Sequence, residues 1–248
     1  MVRHETCLQY FYRRLREGWQ CVSIEGYDAL LLSPDGILRE LNLRNDVETI
    51  RPSAAGDECN ISSSNGCSAC PNHYDCVDEA VADDDTTYVV NDGSAAWRRD
   101  LYNLDNHSVG SGTINKITLY FRVKSSWNGS SVIGAIKSDS TVTQTAQKNP
   151  YSDFGINTWG TYSEIWATNP ADAGAWQWAD IDSLQAGVNL YSSGRAYSYC
   201  TQVYVEVDYT PVAGWTNISH DKGVAAAAMS HKKGVAVADI SHVKGVAV

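Results

Sequence analysis

The segment Ile114-Asn-Lys-Ile-Thr-Leu-Tyr-Phe-Arg-Val-Lys124 alternates apolar and polar side chains with a period of two. Successive side chains of a strand point to opposite faces of a sheet, so this pattern predicts a strand with one buried and one solvated face. The predicted buried face consists of Ile117, Leu119, Phe121 and Val123. Tyr197–Tyr209 predicts a second such strand, whose apolar face consists of Thr201, Val203, Val205 and Val207.

Shorter strand-like runs flank these two segments, and turn residues separate them. The runs are Thr86–Val90, Ser131–Lys137, Thr141–Gln147, Thr161–Trp166 and Val188–Tyr191. A short helix is predicted at Trp176–Gln185, closed by Gly187. Short antiparallel strands at this spacing are typical of two packed sheets. We therefore predict an all-β, jelly-roll-like antiparallel sandwich over residues 77–211.

The chain before the sandwich divides into two predicted segments. Residues 1–44 contain a short amphipathic helix and then a β-hairpin, whose turn is Ser33-Pro34-Asp35-Gly36. Pro and Gly occupy the positions that a tight turn requires. Residues 45–76 are rich in Asn, Ser, Gly and Cys, and we interpret them as a connecting loop.

Four of the seven cysteines, Cys59, Cys67, Cys70 and Cys76, lie within this connecting segment. One or two disulfides would crosslink a long loop of this kind, and we favour that interpretation. A zinc site with His73 as a further ligand is an alternative, although only Cys67-Ser-Ala-Cys70 has the spacing of a zinc-binding pair. Free thiols are the third alternative. Because seven is odd, at least one thiol is unpaired or bonded to another chain.

Composition and charge exclude several classes of partner. The chain has 248 residues and a net charge of −10, and nucleic acids and anionic membranes require a positive surface. No run approaches 18 apolar residues, so no membrane span is predicted. Met1 to Gly18 lacks an apolar core, so we expect no Sec signal peptide in the sequence as written.

The C-terminus is an 11-residue repeat. Ile218-Ser-His-Asp-Lys-Gly-Val begins the first copy, Met229-Ser-His-Lys-Lys-Gly-Val the second, and Ile240-Ser-His-Val-Lys-Gly-Val the third. Three copies that align without gaps establish a repeat. Its apolar residues are small, and Ala is frequent among them. Such side chains do not offset the conformational entropy of ordering an isolated segment, about 1–2 kcal/mol per residue.

We therefore expect residues 212–248 to be ordered by pairing with another chain. Val-Ala-Val next to Gly suits a strand that is added to a sheet edge. The chain would then be a structural subunit of an extracellular filament or virion appendage, and its partners would be other copies of itself. A flexible linker is the alternative. The assembly strands would involve Ile218, Val224, Met229, Val235, Val237, Ile240, Val246 and Val248.

Two further constellations concern ions and glycosylation. Asp83, Asp84, Asp85 and Asp208 are hard oxygen ligands that suit a structural Ca²⁺, or they are solvated turn residues. No other cofactor is expected. Four Asn-x-Ser sequons are candidate glycosylation sites if the chain is exported to a competent host. They begin at Asn60, Asn106, Asn128 and Asn217.

Aromatic residues offer a second type of function. Trp159, Trp166, Trp176 and Trp178, with the Tyr-rich stretch around Tyr191–Tyr199, would form a sugar-stacking platform if they are exposed. The alternative is that they fill the core. The chain contains no Gly-x-Ser-x-Gly, His-Glu-x-x-His or phosphate-binding loop, so we expect no enzyme.

Several segments resemble a group of proteins from tailed phages and environmental metagenomes that has no assigned activity. These are Asp83-Asp-Asp-Thr-Thr-Tyr-Val, Arg99-Asp-Leu-Tyr-Asn, Ile114-Asn-Lys-Ile-Thr-Leu-Tyr-Phe-Arg, Ile181-Asp-Ser-Leu-Gln-Ala-Gly-Val and Cys200-Thr-Gln-Val-Tyr-Val-Glu-Val-Asp-Tyr. The resemblance covers residues 75–210 and implies a jelly-roll-like sandwich in virion or extracellular appendages. It implies no functional residues.

The sequence thus favours a structural subunit at an extracellular or virion surface. A β-sandwich that binds carbohydrate or a host surface, with the repeat as a linker, is the second hypothesis, and an enzyme is the third.

Overall fold

The computed structural model describes most of the chain. It covers residues 7–25, 28–36, 38–42, 45–93, 95–109 and 111–211, with 242–243 and 246–247 near the C-terminus. The chain divides into two compact units, one of residues 46–209 and one of residues 1–45 with 210–248.

The larger unit contains a five-stranded sheet. In spatial order its strands are β11 (Thr141–Gln144), β10 (Ser131–Ser138), β13 (Gln185–Tyr191), β8 (Trp97–Leu104) and β5 (Pro52–Cys59). All four pairings along this order are antiparallel. Strands that are distant in the sequence therefore become neighbours, as β13 and β8 do.

A second sheet belongs to the same unit. In spatial order its strands are β12 (Gly160–Trp166), β9 (Thr113–Ser125), β14 (Ser198–Thr210), β7 (Tyr88–Asn91) and β6 (Ser63–Asn65), with β4 (Asp46–Ile50) paired to β14. From β8 to β14 the chain alternates between the two sheets, except that the consecutive strands β10 and β11 both belong to the five-stranded sheet. Two short helices, α2 (Pro150–Phe154) and α3 (Trp178–Asp182), lie in the connections.

The core joins the inner faces of both sheets. Ile117, Leu119, Phe121 and Val123 of β9 are fully buried, as the alternation in the sequence predicts. The predicted apolar face of β14 is buried as well. Tyr102, Val188 and Leu190 come from the five-stranded sheet and belong to the same cluster. The predicted all-β antiparallel sandwich is confirmed.

The segment 45–76 differs from the prediction of a connecting loop. It supplies β4, β5 and β6 to the two sheets, followed by a 3₁₀ turn at His73–Cys76. These strands consist largely of small and polar residues. Two of them, β5 and β6, lie at sheet edges, where a strand has a hydrogen-bonded neighbour on one side only. The predicted helix at Trp176–Gln185 is also shorter, because Gln185 already begins β13.

The smaller unit begins with helix α1 (Cys7–Arg16) and a three-stranded sheet. Its strands are β1 (Gln20–Glu25), β2 (Asp28–Leu32) and β3 (Leu38–Asn42). The predicted hairpin is confirmed, since β2 and β3 pair across a turn in which the Gly36 amide donates to the Ser33 carbonyl. Ala29 and Leu31 form its buried centre.

The repeat tail lies almost entirely outside the described residues. Of the predicted assembly strands, Ile218, Val224, Met229, Val235, Val237, Ile240 and Val248 fall there. In the third copy β15 (His242–Val243) pairs with β16 (Val246–Ala247), which includes Val246. Assembly by strand addition stays a prediction. In the part of the chain that is described, no helix is long and apolar enough to span a membrane.

Candidate functional site

The outer face of the five-stranded sheet presents ordered rows of side chains. Strand register places Ser131, Tyr191 and Trp97 in the first row, and Ile133, Asn189 and Arg99 in the second. The third row is Ala135, Gly187 and Leu101, and the fourth is Lys137, Gln185 and Asn103. The alternate residues of β13, Ala186, Val188 and Leu190, point into the core.

A bulge in β5 covers the third and fourth rows. Pairing with β8 is interrupted between Ala55 and Glu58, which leaves Gly56 and Asp57 out of register. The Asp57 amide donates to the Gln185 side chain at 3.1 Å, and the Asp57 carboxylate forms an ion pair with Lys137. The bulge therefore leaves the first two rows as the open part of the face.

Trp97 and Tyr191 form a cross-strand aromatic pair in the first row. Their ring centroids are 5.3 Å apart, and the ring planes are inclined at 42°. Trp97 is 37% exposed, and Tyr191 is half-buried. The pair offers rigid apolar surface at the edge of the open rows, with little side-chain entropy to lose on binding.

The second row supplies polar groups beside this pair. Arg99 donates to both carboxylate oxygens of Glu58, at 2.8 and 2.6 Å. The Asn189 amide group donates to Gln144 at 3.3 Å, while its Oδ1 is buried and accepts no hydrogen bond from any described residue. A buried acceptor without a partner costs about 1–3 kcal/mol. We define the binding face as Trp97, Arg99, Ile133, Asn189 and Tyr191, together with Gln144, which extends the third row onto β11 at the sheet edge opposite the bulge.

A second aromatic group lies at the six-stranded sheet, where a lysine side chain of the protein packs over its rings. The Lys124 ammonium lies 4.6 Å from the Trp159 ring centroid and 4.8 Å from that of Tyr199, and it forms an ion pair with Asp85. The Lys124 ammonium beside Asp85 lowers the pKa of that carboxyl group. The half-buried aromatic faces here thus contact a cation of the protein itself.

The four tryptophans predicted to stack on sugar are not brought together. Trp159 directly precedes β12, and Trp166 is the last residue of that strand, at the opposite end of its register with β9. Trp176 is buried in the core, and its indole N–H donates to the Trp166 carbonyl at 3.0 Å. Trp178 packs against Tyr209 and donates to the Gly112 carbonyl. Of the four, Trp176 belongs to the core, and the partly buried Trp166 and Trp178 pack against it.

The predicted calcium ligands also point to different partners. Asp84 forms a bidentate pair with Arg122, and Asp85 pairs with Lys124. Asp208 accepts from Asn115, and Asp83 accepts from Thr87 and Thr201. The four carboxylates therefore do not converge as a calcium ligand set.

Glu79 gives a stability prediction with a defined sign. Burial raises the pKa of its carboxyl group, and the nearby charge of Asp83 raises that pKa further. A raised folded-state pKa means that ionised Glu79 destabilises the fold above that pKa, while the protonated form at low pH does not. We expect Glu79→Gln to increase the free energy of unfolding at pH 7 and to have little effect at pH 3, in urea titrations. Glu164→Gln, at a half-exposed carboxyl group, serves as control. Equal effects of Glu79→Gln on the free energy of unfolding at pH 7 and at pH 3 would contradict the raised pKa of Glu79.

The four clustered cysteines form two disulfides at the corner where β5 ends. Cys59 pairs with Cys70 and Cys67 with Cys76, with Cα–Cα distances of 5.9 and 5.3 Å. The disulfide interpretation is thereby supported in preference to free thiols. Cys200 is buried and has a free thiol, and burial raises the pKa of that thiol.

Three of the four sequons lie on the surface. Asn60, Asn106 and Asn128 are exposed, and Asn217 falls outside the described residues. Exposure is compatible with glycosylation, which stays a prediction.

No protein-family model and no curated protein matches the chain. Similar solved structures include the C-terminal CBM6 module of the laminarinase LamC from Zobellia galactanivorans, at 13% identity and a TM-score of 0.30, covering 65% of this chain and 99% of the module. A CBM4 module is 16% identical, with a TM-score of 0.30, and the match covers 52% of this chain and 89% of that module. The carbohydrate-binding module CBM6cm-2 of Cellvibrio mixtus lichenase 5A, in complex with cellotriose, is 12% identical, with a TM-score of 0.31, and the match covers 66% of this chain and 97% of that module. Similarities at these TM-scores do not establish a function, which has to be inferred from the geometry of the binding face.

The sequence identifies the tyrosine-rich stretch that contains Tyr191 as a candidate site. It does not identify Trp97 and Arg99 as members of the same surface. Trp97 precedes two arginines and lacks an alternating apolar pattern around it. The signal that identifies it is the pairing of β8 with β13, which a single sequence does not reveal.

Proposed function

We propose that the β-sandwich is a non-catalytic carbohydrate-binding module, and that the binding face on the five-stranded sheet holds a neutral glycan. The observation that carries the proposal is the partly exposed Trp97–Tyr191 pair beside a row of hydrogen-bonding side chains. A pyranose has an apolar face of C–H groups and a rim of hydroxyls, and this surface offers a counterpart to each.

The charges around the face favour a neutral ligand. Glu58 neutralises Arg99, and Asp57 neutralises Lys137, so the face presents no unpaired cation for a sulfate or carboxylate. The net charge of −10 over the whole chain further disfavours polyanions. Arg99 retains donor hydrogens beyond its two bonds to Glu58, and these can bind sugar hydroxyls in a fixed geometry.

The aromatic pair is the expected source of most of the affinity. Binding energy commonly concentrates in a few aromatic and Arg side chains at the centre of an interface. We expect Trp97→Ala to weaken glycan binding at least about tenfold, which corresponds to about 1.4 kcal/mol. Affinity electrophoresis through gels that contain a neutral β-glucan, mannan or galactan measures this, with alginate as an anionic comparison.

Trp127→Ala is the matched control. Trp127 is 56% exposed in the loop between β9 and β10, and its ring lies 6.4 Å from that of Tyr151, not on the binding face. Its removal should leave glycan affinity unchanged. Absence of retardation in every neutral glycan, or equal losses in both tryptophan variants, would contradict the proposal.

The two disulfides support an extracellular location, because such bonds persist in oxidising compartments. A location on a virion surface and polymerisation through the repeat tail stay predictions from the sequence.

A further inference from the structure

A buried cluster of metal-ligating groups lies at the corner between β5 and β8, on residues that the glycan-binding proposal does not use. Cys59, His73 and Asp100 each place one ligand atom within 4.8 Å of the other two. His73 and Asp100 are buried. The sulfur of Cys70 is bonded to that of Cys59, so a fourth ligand atom lies at the same place.

The separations agree with those of a tetrahedral zinc site. The Cys59 sulfur lies 3.5 Å from Nδ1 of His73. With Zn–S about 2.3 Å and Zn–N about 2.0–2.1 Å, tetrahedral geometry puts sulfur and nitrogen about 3.6 Å apart. Nδ1 of His73 also lies 2.7 Å from Oδ2 of Asp100, a distance that widens by about 0.6 Å when both atoms bind zinc.

We propose that reduction of the Cys59–Cys70 disulfide converts this corner into a structural zinc site with Cys59, Cys70, His73 and Asp100 as ligands. Two thiolates, one imidazole and one carboxylate are a donor set that Zn²⁺ accepts. The proposal is independent of glycan binding. The disulfide crosslinks β5 to Cys70, and the metal would crosslink β5 to Cys70, to His73 of the 3₁₀ turn and to Asp100 of β8, so the corner stays closed in both redox states.

The conversion has two steps, reduction of the disulfide and then binding of the metal. A dithiol reductant supplies two electrons and two protons, the S–S bond breaks to give two thiols, and the reductant becomes a disulfide. Zn²⁺ then displaces the two thiol protons, which pass to solvent. The Nδ1 proton that His73 donates to Asp100 moves to Nε2, which frees the Nδ1 lone pair for the metal. Cys70 is exposed, which gives reductant and metal access to the pair.

A neighbouring cluster is a less complete ligand set. Cys67, Asp75 and Cys76 also bring their ligand atoms within 4.8 Å of one another. Their set lacks a histidine, and the Asp75 carboxylate already accepts from the Ser68 amide at 3.2 Å. Substitution of this second cysteine pair therefore provides the matched control.

The test is a zinc titration of the full chain in competition with a chromophoric chelator. Protein reduced by a dithiol, then desalted without oxygen, should bind one Zn²⁺ tightly, while the oxidised protein should bind none. The double variant Cys67→Ser/Cys76→Ser should retain that site. The double variant Cys59→Ser/Cys70→Ser should bind at least about a hundredfold more weakly, because ligands contribute more than the outer groups whose loss costs 10–100-fold.

Co²⁺ substitution reports on the ligands themselves. The reduced wild type and Cys67→Ser/Cys76→Ser should both show sulfur-to-cobalt charge-transfer absorption and tetrahedral d–d bands. No metal bound to the reduced wild-type chain would overturn the proposal, whatever the variants do. Loss of the site in Cys67→Ser/Cys76→Ser but not in Cys59→Ser/Cys70→Ser would also overturn it.

Discussion

Asp100→Ala is expected to lower the free energy of unfolding by about 3 kcal/mol, because each buried donor that loses its acceptor costs about 1–3 kcal/mol. Asp100 is fully buried on β8. One of its oxygens accepts from the amides of Asn60 and Ile61, at 2.6 and 2.8 Å, and the other contacts His73 at 2.7 Å. Its removal takes this partner from the Ile61 amide, the His73 imidazole and the Tyr102 hydroxyl, while the Asn60 amide keeps its hydrogen bond to the Arg99 carbonyl. Urea unfolding of the oxidised protein at pH 7 measures the loss.

Asp182→Ala is the matched control, because the chain contains a second, more exposed His–Asp pair. Asp182 contacts His107 at 2.6 Å, but its side chain is 39% exposed. Exposed pairs contribute at most about 1 kcal/mol, because water replaces the lost partner. Equal effects of the two substitutions would show that Asp100 does not anchor the corner.

Gly187→Ala is expected to lower the free energy of unfolding by about 2–3 kcal/mol, as substitutions that overpack a protein interior do. We expect it to weaken glycan binding as well. A Cβ at this position would lie 2.0 Å from the Asp100 carbonyl oxygen, which belongs to the backbone of β8. The paired strands would have to separate next to the rows that carry Trp97 and Tyr191. Thermal or urea unfolding and affinity electrophoresis measure the two effects.

Gly174→Ala is the control for this substitution. The nearest atoms to a Cβ there belong to the exposed Asp172 carboxylate, at 3.0 Å, which accepts a hydrogen bond from the Gly174 amide and has to shift by only a few tenths of an ångström. The expected change is within about 0.5 kcal/mol, with glycan affinity preserved. If Gly187→Ala changes the free energy of unfolding no more than Gly174→Ala does, the fold does not require the close approach of β13 and β8 at Gly187.

The regular strands were predictable from the sequence because each buries one face. In β9 and β14 every second residue enters the core, so the period of two is visible without a structure. The hairpin of the smaller unit was predictable for a different reason. Its turn residues, Ser33 to Gly36, specify the reversal locally.

The strands that form the site were not predictable in the same way. Leu101 lies on the outer face of β8 and is nevertheless buried, because the β5 bulge covers its row. Asp100 faces inward as a charged residue, which its bonds to Asn60, Ile61 and His73 permit. Apolar periodicity is therefore lost in β8. The edge strand β5 contains mostly small and polar residues, which resemble a loop in the sequence.

The candidate site depends on cross-strand pairing rather than on local sequence. Trp97 and Tyr191 meet only because β8 and β13 are neighbours in the sheet. The four tryptophans that are close in sequence separate instead into the core and the two ends of β12. The cysteines were identified correctly as a group, since their proximity in sequence already limits the loops that they close.

The most direct test of glycan binding at this face is the response of the tryptophan indole N–H resonances to a neutral oligosaccharide in ¹H–¹⁵N spectra. We expect the Trp97 signal to shift with increasing ligand, while that of Trp176, whose N–H is buried against the Trp166 carbonyl, stays in place. Saturable binding that leaves the Trp97 signal unmoved and shifts that of Trp159 would contradict the account.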